Sequence, residues 1–222
     1  MLPKNKEKLQ SINQTLVNLS DDVINIHKEI LDAFKKKDVN ALTSLKKIMK
    51  EIPDRANDID NEVVKALALF EPEAKDLRTI VAVLKITNEL NRILVDGKKY
   101  VRGMKNQIGN SEFDFNHLDN YIIQLHLAAI NSVVYATEAL SKEGEEFDEL
   151  YRKVMIEESK SDDLLSLIEK EILTKLSKKN KFLIEYINIL SSVRRLERVA
   201  DHAVNIAKLI YFSKKGGKIE SF

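Results

Sequence analysis

Apolar residues recur in alternating steps of three and four along almost the whole chain, and only six glycines and three prolines interrupt 222 residues. This spacing puts them on one face of a helix and is incompatible with the period-two alternation of a strand. Six runs carry it. The first is Leu9, Ile12, Leu16, Leu19, Val23, Ile26, Ile30 and Phe34, ending at Lys35-Lys36-Lys37. Asp38 then follows as a cap for the next helix, because its carboxylate can accept orphan backbone N–H bonds. The second run extends from Leu42 to Phe70 and contains Pro53, which predicts a kink or a late start to the regular helix. The third spans Leu77 to Met104 and stops at Gly103, Gly109 and Asn110. Ser111 offers an N-cap for the fourth, with Asp114 as a weaker capping-box partner. The fourth runs from Phe115 to Leu140 and ends at Gly144. The fifth and sixth cover Phe147 to Leu176 and Leu183 to Tyr211.

Six helices of roughly 30 residues joined by short connections predict antiparallel bundles. The fold expected is all-α, two tandem three-helix bundles: residues 1–107, residues 108–213 and a flexible tail over 214–222. Composition narrows the function. Lys and Arg number 36 against 35 Asp and Glu, so the net charge is +1; this balance speaks against nucleic-acid binding, which rests on many phosphate contacts. The absence of cysteine excludes disulfides and thiolate metal sites. No run of about 20 apolar residues exists to span a membrane, and the start MLPKNKEKLQ lacks the apolar core of a secretory signal. A cytoplasmic protein is expected.

The stripe turns acidic in the last two helices. Stepping by seven along the sixth run gives Leu183, Leu190, Glu197, Val204 and Tyr211, which predicts Glu197 on a core seam with Asp201 one turn on. The same walk on the fifth gives Tyr151, Glu158, Leu165 and Ile172, with Asp162 one turn after Glu158. Spacing alone is weak, since 35 acids in 222 residues supply roughly five or six such pairs by chance. The seam position sharpens it, because a buried unpaired carboxylate is costly or shifts its pKa. Two explanations stay open on spacing alone: a salt-bridge network drawing on Arg194, Arg195 or Arg198, or a hard cation held by carboxylates from facing helices.

The segment RRLERVADHAVNIA, Arg194 to Ala207, resembles the signature of the PhoU family, and ALALFEPEAKDLRTI, Ala66 to Ile80, resembles that family's apolar run followed by Pro-x-x-x-Asp-Leu-Arg. NELNRILVD, Asn88 to Asp96, takes the corresponding place in the first repeat. The resemblance implies two three-helix bundles and, in the second, a metal site. Glu197 and Asp201 match its ligand motif, and Glu158 and Asp162 match the partner motif; iron, zinc, magnesium or manganese would suit the family. It also favours the metal explanation. The first repeat departs from the pattern: Asn91 and Val95 stand where acids are expected, as do Pro53 and Asn57, and Asp54 and Asp58 lie one position out of register. A metal site there is expected to be lost or altered.

Pro72, Asp76, Arg78 and Arg194 are family-motif positions with a structural reading. Asp76 suits the dipole of a helix start, and Arg78 is expected to pair with a neighbouring acid. His202 reads as a surface histidine, and the Lys178, Lys179, Lys181 cluster as a solvated junction. No catalytic residue is assigned: there is no Glu-x-x-His, no Gly-rich phosphate loop and no nucleophile elbow. The resemblance therefore implies a non-enzymatic regulator of phosphate uptake and phosphate-starvation signalling. Its implied partners are a phosphate ABC transporter ATPase and a sensor histidine kinase, met at the inner membrane, and it is expected to form a homodimer. The alternatives are an accessory protein of an inorganic-phosphate permease and a structural helical scaffold.

Overall fold

A computed structural model describes residues 3–50, 52–69, 72–176 and 181–216. Every regular element among them is helical: α1 Pro3–Lys35, α2 Val39–Ile48, α3 Ile52–Leu69, α4 Ala74–Ile108, α5 Asp119–Glu138, α6 Gly144–Leu176 and α7 Leu183–Lys215, with single 3₁₀ turns at Asn116–Leu118 and Ala139–Ser141. The expected second helix is thus two, and the described residues hold seven α-helices rather than six. Pro53 explains the split. It occupies the second position of α3, where its missing N–H is one of the donors a helix start leaves unused anyway. Phe70 and Glu71, at the end of the second run, lie outside the described residues, as do Lys178 and Lys179.

Local chemistry sets the other boundaries. α1 ends with Asp38 N bonded to Ala33 O and Lys37 N bonded to Phe34 O, with Lys37 in the left-handed region at φ 52°, the double closure of a Schellman cap. Asp38 then caps α2, its Oδ1 accepting the N–H groups of Asn40 and Ala41 at 2.9 Å each. Ser111 does not start the fourth helix. Asp114 accepts the N–H of Asn116 instead, and α5 follows one 3₁₀ turn later. Gly144, at φ 56°, turns the chain into α6, a conformation that costs glycine little.

Repeat 1 comprises α1 to α4 and repeat 2 comprises α5 to α7. Their third long helices, α4 and α7, pack antiparallel as the most extensive helix pair of the molecule. Gly103, expected to help end the third helix, lies inside α4. A Cβ there would collide with Ser192 Oγ of α7, so the glycine permits the close approach. A continuous core runs through both repeats. At their junction His27 Nδ1 of α1 lies 3.2 Å from His126 Nε2 of α5, and both rings are fully buried. Burial drives the His27 pKa down to about 4 and that of His126 well below its usual value, so both are neutral. Lys214 and Lys215, assigned to a flexible tail from sequence, belong to α7. Lys214 Nζ donates to Glu143 at 2.9 Å and to Leu140 O at 3.3 Å. Among the described residues no helix is long and apolar enough to cross a membrane.

Candidate functional site

The buried stripe of α7 is Tyr186, Ile189, Val193, Leu196, Ala200, Ala203, Ala207 and Ile210, one position away from the heptad walk through Glu197. Leu183 is 49% exposed and Tyr211 44%. Because α7 packs on α4, α5 and α6 at once, its apolar surface is wide, and a seven-residue walk can follow its border as easily as its centre. Glu197 and Asp201 are therefore half-buried at the edge of the core, not on the seam. On α6 the seam residue is Ser161, fully buried; Glu158 beside it is half-buried and Asp162 exposed.

The fold nevertheless brings the four acids together across the α6–α7 groove. Burial raises the pKa of Glu158, and Asp162 and Asp201 raise it further. Glu197 is pushed up to about 7, first by burial and then by Asp201, Asp162 and Glu158, with Arg198 pulling the other way. Asp201 moves up by burial and by Asp162, against His202 and Arg198. Neighbouring carboxylates thus make Glu158, Glu197 and Asp201 harder to ionise, and the nearby cations do not cancel the effect. Arg194 does not serve them. Its Nε and Nη2 donate to Glu169 Oε1 at 3.2 and 2.8 Å, tying α7 to α6.

A second charged cluster, not anticipated from sequence, lies between α4 and α7. His202 is half-buried rather than a surface residue. Its ring donates from Nδ1 to Glu89 Oε2 at 2.7 Å, and its Nε2 lies 3.6 Å from Asp96 Oδ2, a charge contact too long for a hydrogen bond. Burial works to lower its pKa, but the two carboxylates overcome this and raise it to about 9. Asn205 Nδ2 donates to the same Glu89 oxygen at 3.3 Å, and Arg195 Nη1 donates to Asp96 Oδ1 at 3.2 Å. These partners hold Glu89 and Asp96 below their usual pKa values although burial opposes ionisation. The trace in sequence is Glu89 and Asp96 seven apart, flanking the buried Leu90, Ile93 and Leu94.

The family-motif residues of repeat 1 sit elsewhere. Asp76 is in the first turn of α4, a favourable place for an anion. Arg78 makes no ion pair with an acid among the described residues. Its guanidinium packs beside Gly216, with Nε buried and without a hydrogen-bond partner among the described residues. Gly216 lies roughly four turns beyond Asp201, so Pro72, Asp76 and Arg78 are no part of the acid cluster. Asn91 is half-buried, Val95 is 45% exposed, and Asp54 and Asp58 are exposed on α3.

The four carboxylates suit a hard cation in chemistry and in field: all are oxygen donors, and their mutual repulsion is what a cation relieves. In this side-chain arrangement no three acidic or histidine residues among those described already converge as ligands, so binding would require carboxylate rotation at the groove.

Residues 16–94 and 122–210 each match the family model of the PhoU domain. The phosphate-specific transport system accessory protein PhoU homolog of Borreliella burgdorferi is 31% identical over 220 residues, covering 96% of each chain. The homologue of that name in Pseudomonas aeruginosa is 26% identical over 86% of this chain and 78% of its own. Among solved structures, the phosphate transport system regulatory protein PhoU from Streptococcus pneumoniae superposes with a TM-score of 0.84 at 16% identity, over 98% of this chain and all of its own. PhoU from Pseudomonas aeruginosa superposes at 0.78 with 22% identity, over 96% and 99%.

Proposed function

Because this chain belongs to the PhoU domain family, we propose that it is an accessory regulator of phosphate uptake that acts by binding partners stoichiometrically. The observation that carries this is the double domain match together with the near full-length likeness to accessory proteins of phosphate-specific transport. The partners are the ATPase of a phosphate ABC transporter and a sensor histidine kinase, and the protein works in the cytoplasm, at the membrane only through them. It self-associates as a dimer. It performs no reaction of its own: its charged groups serve to hold helices and to bind.

In this reading Glu158, Asp162, Glu197 and Asp201 hold a cation between α6 and α7. A bound cation neutralises their repulsion and fixes the two helices in one arrangement, which shapes the surface a partner meets. Carboxylate donors favour magnesium or manganese, while iron and zinc more often recruit imidazole or thiolate as well.

The test is genetic and biochemical together. Deleting the gene is expected to derepress phosphate-starvation genes when phosphate is abundant. A folded variant that binds neither the ATPase nor the kinase is expected not to restore repression. Unchanged uptake and unchanged starvation-gene expression after deletion would sink the proposal. So would catalytic turnover of a phosphorylated substrate by the pure protein. Co-purification with an inorganic-phosphate permease alone would transfer the role to that system, and light scattering that detects only monomer at micromolar concentration would remove the dimer.

A further inference from the structure

α7 has one open side that the core does not cover and that the charged clusters reach only at its arginine end, through Arg195 and Arg198. Ile184 is 70% exposed and Ile187 51%. Ser191, Arg194 and Arg198 are exposed, and Arg195 is half-buried. Steps of three, four, three and four along a helix place Ile184, Ile187, Ser191, Arg194 and Arg198 within one stripe, with Arg195 at its border. Single exposed apolar residues are ordinary. Two isoleucines one turn apart, continuing into three arginines on the same side, form an ordered surface. A hollow lies along it, with Ile187 and Leu190 at one end and Arg194, Arg195 and Arg198 at the other. Arg194 is engaged by Glu169 and Arg195 by Asp96, whereas Arg198 makes no hydrogen bond or ion pair within 4 Å among the described residues.

We propose that this face of α7 docks an acidic amphipathic segment of a partner protein: a carboxylate at Arg198 and a bulky apolar side chain against Ile184 and Ile187. The inference rests on the regulatory reading and names the surface it uses. Charge complementarity selects the occupant: the net charge of the whole chain is only +1, while the charged side chains lining this hollow are all arginines, set beside the apolar Ile187 and Leu190. An anionic bilayer is a poorer match. It needs clusters of about four to eight cations on an open surface, and here two of three arginines are already engaged and the site is concave. The spacing defines the segment: Ile187 to Arg198 spans roughly 16 Å of helix, so the apolar and acidic side chains of the partner stand about three helical turns apart.

The full-length protein is tested by fluorescence anisotropy against a labelled 16-residue peptide with glutamates at one end and leucines at the other, and against a peptide of the same composition in scrambled order. In parallel it is tested against the purified ATPase subunit and the cytoplasmic portion of the kinase from the same cell. Ile187→Ser and Arg198→Glu are each expected to weaken binding of the ordered peptide and of the partner at least tenfold, and Arg198→Lys less than threefold. The scrambled peptide should bind no better than these variants. Both positions are exposed, so unchanged thermal melting guards against misfolding, and Ile184→Ser provides a second apolar variant. If the wild type binds the ATPase or kinase and the variants bind equally well, this surface is wrong and the regulatory reading stands. If the wild type binds neither protein, the regulatory reading fails, and the peptide series still decides the surface: equal affinity of wild type and variants overturns it. Retention on phosphatidylglycerol vesicles without peptide binding overturns it in favour of lipid, and loss of self-association in the variants without loss of peptide binding overturns it in favour of a second copy.

Discussion

The third long helices of the two repeats, α4 and α7, occupy equivalent places yet carry opposite charges at equivalent positions. Glu89 and Asp96 on α4 correspond by the same sequence offset to Arg195 and His202 on α7, and the structure pairs Glu89 with His202 and Asp96 with Arg195. Conversely, Asn91 and Val95 on α4 correspond to Glu197 and Asp201 on α7. One repeat has given its acids to the seam between repeats, and the other keeps its acids in the groove against α6. The difference shows how a duplicated helix can become heterotypic. Opposite charges make the α4–α7 pairing complementary, whereas α4 against another α4 would bring buried carboxylates together. The acids left on α7 are then free of that seam and available to a cation.

The largest effect should come from breaking the seam. Asp96→Ala leaves Arg195 and His202 facing each other with one fewer anion. Urea unfolding is expected to show a loss of about 3 kcal/mol, as when one partner of a buried pair is removed. A double-mutant cycle of Glu89→Gln with His202→Gln should give less than the sum of the single losses. Additive losses would mean that the seam is not a network.

Next is the pH dependence of the same seam. The folded-state pKa of His202 is raised from 6.5 to about 9. Its contribution is therefore fully present below pH 6.5 and is lost as pH rises through about 9, amounting to at most about 3 kcal/mol. His202→Gln should flatten the stability profile between pH 6.5 and 9. An unchanged alkaline limb would assign that loss to other groups.

The acid cluster should lose stability in the same direction, but at lower pH and because the ionised form is the unfavourable one. Glu197, raised from 4.5 to about 7, favours the folded state when protonated, so its contribution is present below pH 4.5 and disappears as pH rises through about 7. With chelator present, Glu197→Gln is expected to stabilise the protein at pH 8 by about 1 kcal/mol, after discounting for the solvent screening of a half-exposed group, and to do nothing at pH 4.5. With a cation present the same substitution, combined with Asp201→Asn, should lower the metal content measured by elemental analysis. If metal content is unchanged, the four carboxylates are not the ligands.

The smallest effect is the most informative about the comparison. Asn91→Glu with Val95→Asp restores acids to α4, but Asp54 and Asp58 on α3 remain exposed and out of register. Stability should change by less than about 0.5 kcal/mol, and no additional metal should bind. Uptake of a second equivalent would show that the third helix alone makes a site.

The helices were legible in the chain because periodicity and caps are local: Asp38 caps α2 as expected from its position, and Gly109 closes α4. Pro53 was legible as a disturbance, and only the packed structure turned it into a break between α2 and α3. The four acids were legible as a group because each pair lies one turn apart on its own helix. Their depth was not: on a helix buried on several sides, the centre of the apolar surface depends on which neighbours cover it. The burial of His202 was not legible for the same reason, since its partners Glu89 and Asp96 are about a hundred residues away and no local pattern links them.

Sequence by itself determined an all-helical chain with a duplicated signature and an acidic pair one turn apart on each of α6 and α7, because those features arise from neighbours within a turn or two. The tertiary structure alone decided that α4 and α7 lie antiparallel in contact, that Gly103 admits Ser192, that Glu89 and Asp96 hold His202 protonated, and that the face from Ile184 to Arg198 stays open. Each of these depends on which helix lies against which, and that choice is settled by the burial of whole surfaces rather than by any run of residues.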